Sequence, residues 1–77
     1  MSPLKSVLLV NRTLFLDNDP RCNYLLPLTN GITVNEFASE IMRACANYDK
    51  SVTWEGAKFL ARELLESDTK GVEMPWV

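Results

Sequence analysis

The chain has 77 residues, of which 47% are hydrophobic and 23% are charged, so it is too apolar for a disordered protein and suits one small domain. Eight basic and ten acidic residues give a formal net charge of -2, which argues against strong attraction to nucleic-acid phosphates. The apolar runs are too short to cross a membrane, and the N-terminal segment lacks the pattern of a secretory signal. These features predict a cytoplasmic protein.

Two β-prone apolar runs, residues 7–10 and 13–16, stand near the N-terminus. Asn11 and Arg12 separate them, and a two-residue loop that begins with Asn favours a tight hairpin, although Arg12 stands where glycine is usual. A turn is predicted next, followed by a third extended segment at residues 23–28. Pro27 has no amide hydrogen to donate, so this segment belongs at an edge of the sheet.

The first helix has the clearest local signal in the chain. Thr33 can cap it, and Glu36, three residues later, can bond back to the amide of the cap. Apolar side chains then recur every three or four residues, which predicts a helix over about residues 33–48 with one buried face.

A second helix is predicted over about residues 53–68, with Thr53 as its cap. Gly71 is a candidate for a left-handed residue that stops it. Residues 72–77 form an extended tail, which is either a strand added to the sheet or a loose arm.

The predicted fold is therefore α+β: a single domain over residues 1–77, with a small antiparallel meander of two or three strands at about residues 4–28. Two antiparallel helices follow and pack on one face of the sheet. A sheet this small leaves its edges open, and the stretch "SVLLV" at residues 6–10 is apolar enough to pair with another copy. Homodimerisation by strand or helix pairing is left open.

No catalytic group is evident, and no cofactor is expected. Histidine is absent, which removes the usual general base and the commonest metal ligand. Cys22 and Cys45 are expected to be reduced thiols that pack as small apolar groups. Asp17 and Asp19 follow an apolar strand, as magnesium ligands do in some phosphoryl-transfer folds, but the same residues are typical of an ordinary turn.

Phe59 is out of place on the second helix, because it falls among charged side chains instead of on the apolar face. It either packs under the C-terminal tail or against the sheet, or it anchors contact with another protein. In the second interpretation Gly56 would let another backbone approach, and Arg62 and Glu63 would form a charged rim. Trp76 poses the same choice between folding back and binding a partner.

These observations predict a non-catalytic protein-binding module, an adaptor or inhibitor that occupies the surface of another protein. By analogy, it resembles the small accessory proteins that phages and other mobile elements encode. The alternative is a small regulatory protein that binds nucleic acid with its helix pair. A metal-dependent enzyme built on Asp17 and Asp19 comes third.

Overall fold

A computed structural model of the chain describes residues 2–27, 32–67 and 69–75. The chain forms a small α+β domain with six strands and two helices in these residues. In chain order the elements are β1 (Ser2–Pro3), β2 (Ser6–Val10), β3 (Thr13–Leu16), β4 (Asn23–Leu25), α1 (Val34–Asn47), β5 (Lys50–Ser51), α2 (Trp54–Leu64) and β6 (Thr69–Glu73).

The predicted hairpin is confirmed: β2 and β3 are antiparallel, and Val10 is paired with Thr13 across the turn. The φ angles of Asn11 and Arg12 are 51° and 71°, and positive φ at both positions matches the twist of the flanking strands. The third extended segment is also confirmed, since β4 pairs with β3 at the edge of the sheet. Pro27 lies just beyond β4.

The sheet is larger than the predicted two or three strands, because the C-terminal segment adds β6 beside β2. The strand order is β4-β3-β2-β6, with each neighbouring pair antiparallel. Both sides of β2 are therefore occupied, so the expectation that "SVLLV" offers an open edge to another copy is wrong. Of the two forms predicted for the tail, the added strand is the one observed, starting at Thr69. Trp76 lies outside the described residues.

The second helix ends at Leu64, earlier than predicted, and Gly71 does not stop it. Gly71 lies in the middle of β6, opposite Leu8. Before β6, the hydroxyl of Ser67 donates to the carbonyl of Thr69 at 3.0 Å and accepts from the amide of Thr69 at 3.3 Å. Side-chain bonds of this kind favour turns over helix.

A second, parallel pair of strands was not predicted. Ser2 and Pro3 of β1 pair with Lys50 and Ser51 of β5, which links the N-terminus to the connection between the helices. The amide of Leu4 then donates to the carbonyl of Ser51 at 2.9 Å. Two-residue strands carry little sequence signal, so only the tertiary contact defines them.

The predicted helix starts are confirmed. The amide of Glu36 donates to Thr33 Oγ1 at 3.1 Å, and the amide of Thr33 donates to Glu36 Oε1 at 3.2 Å, which forms the capping box. In α2 the amide of Gly56 donates to Thr53 Oγ1 at 3.0 Å. That the two helices run antiparallel stays a prediction.

The core joins one face of the sheet to the helices. Small side chains on both helices, Ala44 on α1 and Ala57 and Ala61 on α2, are fully buried, which allows close packing of helices. The larger buried side chains fill the space between the sheet and the helices: Leu4, Val7, Leu9, Leu14, Leu16, Leu26, Phe37, Ile41, Leu60, Leu64, Val72 and Met74.

Candidate interaction surface

The face of the four-stranded sheet that turns away from the core is the candidate site. Side chains alternate between the two faces of a strand, and the pairing register places ten residues on this side. None of them is buried, whereas the core-facing strand residues are mostly buried. We call this surface the outer face: Ser6, Leu8, Val10, Thr13, Phe15, Asn23, Leu25, Thr69, Gly71 and Glu73.

The centre of the outer face is apolar. Leu8 lies opposite Phe15, and Val10 lies opposite Thr13, which is paired in turn with Leu25. The side chains of Leu25 and Val10 are 66% and 37% exposed. An antiparallel sheet with one face in water normally carries polar residues there. A contiguous exposed apolar patch is typical of a surface that contacts another molecule.

Gly71 opens a gap in the outer face beside Leu8. Its φ lies outside the left-handed region, and an added Cβ would lie 3.6 Å from Leu8 Cδ1, an ordinary contact. Neither backbone conformation nor space within the chain therefore requires glycine. A shallow depression of about 250 Å³ lies at this side of the sheet, with Ser6, Asn18, Gly71 and Glu73 among its lining residues. Glycine inside a strand is often found where another molecule approaches closely.

The sequence contains a signal for this surface that the strand predictions did not use. In "SVLLV" and "TLFL" the residues between the core positions, Leu8 and Phe15, are themselves apolar. Near-continuous apolar strands are typical of sheets covered on both faces. The described helices cover the other face.

The α2 residues predicted to bind a partner differ in how exposed they are. Phe59 is half-buried and packs against the core, and Gly56 is buried. Arg62 is exposed, and Glu63 is half-buried with its Oε1 atom 4.0 Å from Nζ of Lys70. The structure therefore links Glu63 to β6, while a role for Phe59 as an anchor stays a prediction.

Asp17 connects three parts of the fold. Its Oδ1 atom accepts hydrogen bonds from the amides of Lys5 at 2.8 Å and Ser6 at 3.2 Å, and its Oδ2 atom lies 2.7 Å from Nζ of Lys50. Partial burial acts to raise the pKa of Asp17, but the hydrogen bonds from Lys50 and from the two amides outweigh it, and the net pKa is lowered.

Asp19, the other carboxylate that the sequence offers as a magnesium ligand, has Arg21 as its main partner. Its oxygens accept from Nε and Nη2 of Arg21, both at 3.1 Å, and these bonds lower the pKa of Asp19. Both carboxylates thus stabilise local structure. In residues 2–27, 32–67 and 69–75 there is no group of three or more Asp, Glu, Cys or His side chains that could hold a metal ion.

The two cysteines are not joined to each other. Cys45 is buried, and burial raises its pKa to about 11, so its thiol is protonated at neutral pH. Cys22 is half-buried. Cys45 therefore packs as a small apolar group, as the sequence predicts.

Comparison with known proteins finds no matching family model and no significantly similar curated protein or solved structure. Within the described part of the chain, no helix has both the length and the apolar character needed to span a membrane.

Proposed function

We propose that this protein is a non-catalytic binding module, a cytoplasmic adaptor or inhibitor that occupies the surface of another protein. The observation that carries the proposal is the apolar outer face, with Leu8, Val10, Phe15 and Leu25 side by side and exposed or half-buried. Because the helices cover the opposite face, this side of the sheet is available to another molecule.

The outer face has the size of a typical apolar surface patch. Four strands of three to five residues, spaced about 4.8 Å apart, give a footprint of roughly 300 Å². The largest apolar patch on a typical monomer is about 300–600 Å² and is often functional. Burial of these apolar side chains favours binding, but lost motion and the desolvation of polar groups offset much of that gain, so area alone does not set the affinity.

The surface of α2 is a second candidate for protein contact, as the sequence predicts. Arg62 is exposed beside the half-buried Phe59, which is the arrangement of an apolar anchor with a charged rim. Its apolar contribution is smaller than that of the outer face, because Phe59 already packs against the core.

The alternative function, binding of nucleic acid, receives less support. None of the ten outer-face residues is basic. On α2, Lys58 is paired with Glu55, with Nζ and Oε1 3.1 Å apart, so among the described residues Arg62 is the basic side chain of this helix that is outside an ion pair. Phosphate backbones are bound mainly by unpaired Lys and Arg side chains.

Leu25→Glu tests the proposal with little risk to folding, since Leu25 is the most exposed of the large apolar residues described. We expect it to weaken binding of a partner at least tenfold, because a carboxylate would have to lose its water in an apolar contact. Leu65→Glu is the matched control: the change is identical, and Leu65 is also exposed, but it follows α2, away from the outer face.

The measurement is affinity capture from cell extract with mass spectrometry, followed by titration of each captured protein against the purified variants. The proposal requires proteins that bind wild type and Leu65→Glu equally but lose affinity for Leu25→Glu. Adding Phe59→Asp shows whether α2 takes part. If Leu25→Glu retains every partner at wild-type affinity, the outer face is not the binding surface.

A further inference from the structure

We infer that, when no other protein occupies it, the outer face is covered by a second copy of the chain, related by a two-fold axis that runs across the strands. This inference rests on the proposed function in so far as both use the same face. Its basis is the pair of opposite charges at the two ends of that face.

Glu73 is the one charged residue among the ten of the outer face, and it lies opposite Ser6 at one end of β2. Arg12 lies in the turn at the other end of the same strand. Within the described residues neither side chain forms an ion pair; among the basic residues the same is true of Lys5 and Arg62, whereas the other five are paired. The apolar patch is therefore flanked by two opposite and unpaired charges.

A two-fold axis across the strands makes this arrangement self-complementary. The strands of the two sheets then run in opposite directions, so Arg12 of one copy lies at the end that carries Glu73 of the other. Across the strands the two positions are offset by about one and a half strand spacings, roughly 7 Å, and packed sheets lie about 10 Å apart, a separation that an arginine and a glutamate side chain span together. An axis along the strands would instead place the two Arg12 side chains at the same end, and the repulsion between like charges disfavours that arrangement.

The same axis brings the apolar centres into contact. Leu8, Phe15 and Gly71 lie in one row across the sheet, and this row would face its own counterpart. The missing side chain at Gly71 allows close approach of the two sheets at that point.

The fold itself does not require an arginine in the turn. Arg12 adopts φ of 71°, a left-handed conformation that favours glycine in a two-residue hairpin loop. Its guanidinium makes one long hydrogen bond, from Nη2 to the carbonyl of Leu26 at 3.4 Å. A contact with a second copy gives this side chain a role.

The area available makes such a dimer weak. A footprint of roughly 300 Å² falls well short of the roughly 800 Å² that each partner buries in a stable interface. We therefore expect a dissociation constant between about 10 μM and 1 mM. A partner that binds more tightly would displace the second copy, so self-association and partner binding are mutually exclusive.

Sedimentation velocity of the full chain over a concentration series tests the inference. Each dimer contains two Arg12 to Glu73 pairs, so Glu73→Lys turns both attractions into repulsions. We expect it to weaken dimerisation at least fivefold at low salt, with a smaller effect at high salt. The double variant Arg12→Glu with Glu73→Lys restores opposite charges and should return to within about twofold of wild type. Circular dichroism confirms that all variants are folded.

A wild-type chain that stays monomeric up to millimolar concentration overturns the inference. So does a dimer whose strength Glu73→Lys leaves unchanged, or one that the double variant fails to restore. Each of these results leaves the proposed function standing if Leu25→Glu still abolishes capture of another protein. If Leu25→Glu captures partners as well as wild type does, while the charge-reversal variants change dimerisation as expected, the proposed function alone is overturned.

Discussion

Phe37→Ala is expected to remove most of the free energy of unfolding of the chain at 25 °C. The side chain is 1% exposed and is the largest among the fully buried residues. Replacing a buried phenylalanine with alanine costs about 3–5 kcal/mol through lost burial and the cavity that remains. A domain of this size has a free energy of unfolding of about 5 kcal/mol. Urea titration followed by circular dichroism measures the loss.

Phe15→Ala is the matched control for this change. Phe15 is half-buried on the outer face, so its truncation leaves no enclosed cavity, and we expect a loss of about 1 kcal/mol. An equal loss for both variants would contradict the assignment of Phe37 to the core and Phe15 to the outer face. The comparison therefore tests the two-sided character of the sheet through stability alone.

Asp17→Ala is expected to lower the free energy of unfolding by about 3 kcal/mol at pH 7. The change removes two amide hydrogen bonds, one exposed and one partly buried, and the contact with Lys50; hydrogen bonds to charged groups contribute about 1.5–3 kcal/mol each, with exposed ones at the low end. It also places alanine at φ of 54°, where a residue other than Asn, Asp or Gly is strained. Urea titration at pH 7 gives the magnitude.

Asp17→Asn separates the effect of the charge on stability from the effect of the backbone conformation, because asparagine tolerates positive φ and keeps an oxygen acceptor. We expect a smaller loss, about 1–2 kcal/mol.

The lowered pKa of Asp17 sets the sign of the pH dependence. The stabilisation is present above the unfolded value of 3.8 and is lost as the pH falls through the lower folded value. Asp17→Asn should remove this part of the acid sensitivity. If its free energy of unfolding declines with acid as steeply as that of wild type, Asp17 is not the group responsible.

Local signals made the hairpin and the helix starts predictable from sequence. Asn11 in a two-residue loop and the pair of Thr33 and Glu36 each act over a few residues, so their effect is visible without knowledge of the fold. The position of β6 depends instead on pairing with β2, about 60 residues earlier in the chain. Its sequence, TKGVE, has two charged residues and a glycine, and only tertiary pairing makes it a strand.

The candidate site was harder to predict, for a physical reason. An apolar residue on the polar side of a helix, such as Phe59, breaks a regular pattern and is noticed at once. Leu8 and Phe15 break no pattern, because a continuous apolar run is also what a fully buried strand looks like. Only the placement of both helices on one face shows that these two side chains are left at the surface.

Methyl NMR of leucine- and valine-labelled protein tests the central claim most directly, with the captured partner or increasing protein concentration as the titrant. If the outer face is the binding surface, the methyl signals of Leu8, Val10 and Leu25 shift first and furthest, while those of Leu60 and Leu64 in the core stay close to their starting positions. Shifts confined to residues beside α2, such as Leu65, with the three outer-face residues unchanged, would contradict the claim.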